Sequence, residues 1–140
     1  MSRPARHIFH PAARIAPAAL ALGLASCAVA TPVVVPVMQR VLVDVATAQF
    51  VGDNCPTLGF DTAKAKAFIS NAYRNLVAQG ADPEAIEART DSFEKQELGP
   101  AVAQRLEEGG VDPADPDPAA ACSFGEEEKS SGSILGRVLS

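Results

Sequence analysis

Asp61-Thr-Ala-Lys-Ala-Lys-Ala-Phe-Ile-Ser-Asn-Ala-Tyr-Arg-Asn-Leu-Val-Ala-Gln-Gly80 decides the fold class, because its apolar residues return every three to four positions. Ala65, Phe68, Ile69, Ala72, Tyr73 and Leu76 share one helical face, and Lys64, Lys66, Asn71 and Asn75 occupy the other. Asp61 offers a side-chain acceptor to the unpaired N–H groups of the first turn. Gly80 stands just past the end, where a left-handed residue closes a helix without a Cβ penalty. Lys64 and Lys66 sit where the helix dipole disfavours cations, so they read as solvated surface ahead of a small anion-binding face.

Downstream, Asp82-Pro83-Glu84 restarts a helix at once, with a cap, a proline preset for the first helical position and an acid in the first turn. This third helix is expected to end near Arg89. A fourth, starting after Asp91 or Ser92, carries Phe93, Leu98, Val102 and Leu106 inward. Gly99-Pro100 should kink it or divide it in two, since proline removes a helical hydrogen bond and crowds the preceding turn. Gly109-Gly110 ends the segment.

Between Val111 and Pro118, Asp112, Asp115 and Asp117 alternate with prolines. Carboxylates invite a calcium reading, but the glycine and late glutamate of an EF-hand loop are missing, and a stiff solvated loop fits better. The last helix is expected over about 120–139, with Cys122 in its first turn, Glu126 to Glu128 favoured by the dipole, and Leu135, Val138 and Leu139 closing an apolar end. Ser130, Ser131, Gly132, Ser133 and Gly136 leave a smooth stripe of low helical propensity, which close approach of another backbone would justify and a groove for a ligand or partner would also explain. Glu128, one turn from Phe124 and on the side that continues to Leu135, is the acid expected to be partly buried, and it then needs a hydrogen-bonding partner.

Upstream, a first helix from Val37 to about Asn54 presents Met38, Val41, Leu42, Val45 and Ala48 on one face and turns Arg40, Asp44 and Thr47 away. Its β-branched valines leave a strand open as the alternative. Asn54 to Gly59 reads as a turn carrying Cys55. Residues 31–36, Thr-Pro-Val-Val-Val-Pro, should be an extended tether, with an edge strand as the alternative.

Residues 1–30 read as an export signal: Arg3, Arg6 and Arg14 with no acid before Asp44, then an apolar run from Ala18 to Ala25. Two processing sites overlap. Leu24-Ala25-Ser26-Cys27 resembles a bacterial lipobox and makes Cys27 a candidate lipidation site, while Ala28-Val29-Ala30 fits ordinary cleavage before Thr31. An uncleaved anchor is the third reading, since no charge falls between Arg14 and Arg40, but Pro17, Pro32 and Pro36 count against a continuous spanning helix. Removal of the signal leaves about 105 residues, enough for one hydrophobic core and no more than one domain, 37–140.

Once Cys27 is lipidated or discarded, Cys55 and Cys122 remain, and an even pair in an oxidising compartment points to a disulfide. Neither belongs to a Cys-x-x-Cys, and no histidine remains to complete a zinc set, so no metal and no cofactor are expected. Losing Arg3, Arg6 and Arg14 from 12 basic residues leaves 9 against 17 acids, a net charge near −8, which disfavours nucleic acid and anionic lipid as partners.

Cys55, the helix ending at Gly80, the acidic helix start after it, and the tail Cys122-x-x-Gly125-x-x-Glu128-x-x-x-Gly132-Ser133-x-x-Gly136-x-x-Leu139 carry a resemblance. From about Val37 to Ser140 the chain resembles a domain-of-unknown-function family of small exported proteins of Rhodobacter-like alphaproteobacteria. The resemblance implies the compartment and the two-cysteine framework and no activity. Gly99-Pro100 and the proline-rich loop before Cys122 depart from its pattern.

His7 and His10 both precede the cleavage sites, so the mature domain lacks the commonest general base and cannot assemble a Ser-His or Cys-His nucleophile. The expected architecture is all-α, a small bundle of four to five short helices stapled from Cys55 to Cys122. The expected function is that of a non-enzymatic module in the bacterial envelope, periplasmic or anchored only through lipid on Cys27, that binds an envelope protein through an acidic face. A small-ligand or divalent-cation binder is the alternative, and a carboxylate hydrolase using Glu126, Glu127 or Glu128 stands behind both.

Overall fold

The computed structural model describes residues 34–140. They form six helices and no strand: α1 (Val34–Asn54), α2 (Thr62–Ala78), α3 (Pro83–Gln96), α4 (Leu98–Glu108), α5 (Pro118–Ser131) and α6 (Ile134–Val138). The export segment 1–30 with Cys27 and both cleavage positions, and residues 31–33 of the tether, lie outside the described residues.

α1 is the axis of the bundle and touches each of the other five helices. Met38, Val41, Leu42, Val45, Ala48 and Val51 are all buried along it. A helix surrounded by neighbours has a narrower polar face than a surface helix. Thr47, expected to turn outward, is accordingly buried completely, and Asp44 lies at 16% side-chain exposure. The same burial explains why a valine-rich segment is helical: packing of the whole perimeter overrides the small propensity cost of β-branching.

Several boundaries differ from the sequence expectation. α1 begins at Val34, so Val34 to Pro36 of the expected tether are helical. Pro36 costs nothing there, because the first-turn N–H groups have no intrahelical acceptor. α3 does not end near Arg89 but continues to Gln96, and the break falls at Glu97. Gly99 and Pro100 then occupy the first turn of α4, where Pro100 is tolerated for the same reason as Pro36. The single C-terminal helix is two: Gly132 at φ 70° ends α5, and the Ser133 hydroxyl accepts from the Gly136 N–H to start α6.

The expected caps are present. Asp61 accepts from the Lys64 N–H, Asp82 from that of Glu84, and Gly80 lies at φ 91°. Asp117 accepts from Ala119 and Ala120, which starts α5 at Pro118 and sets Cys122 in its second turn. The Cys55–Cys122 disulfide, Cα to Cα 5.0 Å, ties the end of α1 to α5. Oxidised sulfurs carry no proton, so the Thr57 hydroxyl donates to Cys55 Sγ at 3.2 Å.

α6 and the chain end complete the core. Leu135, Val138 and Leu139 are buried, and an isolated antiparallel bridge joins Leu139 to Phe60. The Asp61 backbone N–H donates to the Val138 carbonyl and the Ser140 N–H to that of Gly59, so the turn after the staple and the C-terminus hold each other. Among the described residues no helix is long and apolar enough to cross a membrane.

Candidate functional site

Glu128, singled out in the sequence as the acid needing a partner, is 13% exposed and accepts from Arg105 Nη2 at 2.6 Å. Arg105 comes from α4, and its Nε lies 4.0 Å from Asp44 Oδ1 on α1. The guanidinium, itself 27% exposed, also stands over the Phe124 ring of α5, 5.2 Å from the centroid. One cation thus joins three helices. Periodicity could not find it, because Asp44 was assigned to an outward face and Arg105 had no motif around it.

Asp44 has its carboxyl pushed above the ordinary range, first by burial and further by the negative charge of Glu128, against the opposing pull of Arg105 and Arg40. The two carboxylates therefore share one guanidinium unequally: Glu128 is in hydrogen-bonding contact and Asp44 is at the edge of it. Such a cluster fixes the mutual rotation of α1, α4 and α5. A glutamate held by a guanidinium at 2.6 Å clamps α4 to α5.

Glu126 and Glu127 are exposed beside it, on the other side of α5. Within the smooth stripe it is Gly136 that serves close packing, whereas Gly132 has open space around it. A Cβ on Gly136 would run into the backbone of Glu128 and Lys129, and one on Gly125 would come 2.5 Å from Leu58 Cδ1 and 2.8 Å from Val51 Cγ1. In the proline-rich loop, Asp112 accepts from the Ala114 N–H and Asp117 caps α5, so two of its three aspartates are occupied by backbone.

A concavity lies elsewhere, a groove of about 690 Å³ among α1, α2 and α3. Met38 and Leu42 of α1, Ile69 of α2 and Ile86 of α3 make its floor apolar. The α2 wall carries Ser70, Tyr73 and Arg74. The α3 wall carries Glu87, Asp91 and Glu94, spaced by four and three positions so that they line one side of the helix. Tyr73 donates to Glu87 Oε1 at 3.3 Å across the groove, and Asp91 pairs with Lys95 one turn on, at 2.6 Å on the solvent side. The acidic row of this groove thus lies on α3, away from Glu126 and Glu127 of α5. The signal that could have located it is the 87-91-94 acidic spacing beside Ile86.

The family model of DUF5333, described as a family of unknown function, matches residues 33–140. No curated protein and no solved structure matches the chain.

Proposed function

The chain belongs to DUF5333, a family of unknown function, and from that premise we propose that it is an exported protein of the bacterial envelope, a non-enzymatic helical module that binds a protein partner. The observation that carries the reading is the α1–α2–α3 groove, apolar in its floor and polar at its rim, the composition of a recognition surface. The Cys55–Cys122 disulfide supports the compartment, since such bonds persist where the environment is oxidising. Arg105 and its two carboxylates support the absence of catalysis by Glu128, because both charges of the closest pair are engaged with each other.

The test is mild extraction from the native envelope with the wild type and Ser70→Trp, which fills the groove from an exposed position on α2. A discrete partner retained by the wild type and lost from the variant is the expected result. A monomer free of partners, or one whose partner is indifferent to Ser70→Trp, would defeat it. The intact mass of the same material, taken without reductant, reads the processing: a start at lipid-bearing Cys27 or at Thr31 agrees with export, and an unprocessed Met1 counts against both cleaved forms.

A further inference from the structure

The groove is chemically one-sided, and that limits what can occupy it. Its α3 wall presents Glu87, Asp91 and Glu94 over about 10 Å, two turns of helix. Glu94 has no ion-pair partner among the described residues, and the Asp91–Lys95 pair is exposed at 63% and 68%, so it is readily exchanged for another cation. The opposite wall carries a single charge of the other sign, Arg74, whose guanidinium donates to Asn71 and, among the described residues, to no carboxylate. Between the walls lie Met38, Leu42, Ile69 and Ile86, with the flexible thioether able to adapt to the surface laid upon it.

We infer that the groove receives an amphipathic helix of a partner protein, whose apolar stripe lies on Met38, Leu42, Ile69 and Ile86 and whose basic flank, lysine or arginine at three- and four-residue spacing, faces Glu87, Asp91 and Glu94 of α3. The inference rests on the partner-binding reading and specifies the partner's chemistry. Charge complementarity selects it. An acidic or uniformly apolar helix would leave the α3 carboxylates facing like charge or desolvated without a counter-ion. A helix lying between two others offers apolar residues on one stripe and charge on its flank, which is the pattern the floor and the α3 wall require.

The test uses the oxidised protein and two synthetic helical peptides with the same leucine stripe, one with lysines and one with glutamates along the same flank. The lysine peptide should bind and shift the methyl resonances of Met38, Leu42, Ile69 and Ile86, weakening as salt is raised. Glu87→Lys combined with Glu94→Lys should weaken it by about tenfold and improve the glutamate peptide, whereas Glu126→Lys with Glu127→Lys, an equal charge change on α5, should leave the preference in place. Equal effects from the two double variants would reduce the result to net-charge attraction and overturn the inference. Equal affinity for both peptides, or self-association of the free protein that Ser70→Trp abolishes, would overturn it too. A native partner lost on Ser70→Trp but docking through an acidic or non-helical segment would leave partner binding standing and refute the basic-helix assignment alone.

Discussion

Glu128→Gln should cost about 2 kcal/mol of stability, whereas Asp44→Asn, in the same cluster, should change it by less than about 1 kcal/mol. Glu128 is 13% exposed and accepts from Arg105 at 2.6 Å, the geometry of a charge-assisted hydrogen bond, for which about 1.5–3 kcal/mol is typical. Glutamine keeps the shape and a neutral acceptor, so part of that energy survives. Asp44 is as secluded, but its oxygen lies 4.0 Å from Arg105 Nε, beyond hydrogen-bond reach. Burial and, after it, the negative charge of Glu128 raise its pKa above the ordinary value. Asparagine removes a weak attraction and a desolvation cost together.

The sign with pH follows. A folded-state pKa raised above 3.8 means that the folded protein binds the Asp44 proton more tightly than the unfolded chain does. Ionised Asp44 therefore lowers stability as pH rises from about 3.8 through the folded value, and the effect is constant above it. Asp44→Asn should gain on the wild type across that window. Urea unfolding followed by far-ultraviolet circular dichroism, on oxidised protein at several pH values, measures all of this. A loss from Asp44→Asn equal to or larger than that from Glu128→Gln would refute the reasoning, because the attraction of Arg105 would then outweigh burial.

Gly136→Ala should destabilise by about 1–3 kcal/mol, since the new Cβ meets the backbone of Glu128, which no rotamer change can move. Gly99→Ala, with open space around it in the first turn of α4, should be neutral or stabilising, and melting temperatures of the two variants compare them directly. Reducing the disulfide, or replacing both Cys55 and Cys122 by serine, should lower stability by about 4 kcal/mol for a separation of 67 residues; urea titrations with and without reductant test it, and a loss below about 1 kcal/mol would contradict the chain-entropy account. Asp117→Ala should cost about 1 kcal/mol by leaving the N–H groups of Ala119 and Ala120 without their acceptor, seen as a lower urea midpoint.

Local chemistry explains what could be read before folding. Asp61, Asp82, Pro83, Gly80 and Gly110 act within a turn of themselves, so the helical class and the starts of α2 and α3 follow from the chain alone. The pairing of Cys55 with Cys122 was forced once they were the last two thiols, and Glu128 was identified because it sits on the stripe that continues to Leu135. The end of α3 was misplaced because Asp91 and Ser92 can lie inside a helix as well as cap one, and the limits of α4 and α6 because Gly99-Pro100 and Gly132-Ser133 can start a helix as well as stop one.

What the sequence determined by itself is therefore the helical class, though with four to five helices in place of six, the disulfide and the need of Glu128 for a partner, all of them consequences of residues near one another or of simple counting. Tertiary structure alone decided that α1 is the central helix, which turned Thr47 inward, drew Asp44 toward Arg105 and made the groove. The reason is physical: periodicity assigns a helix one apolar face, and how many neighbours it has around its circumference depends on how the whole chain is packed.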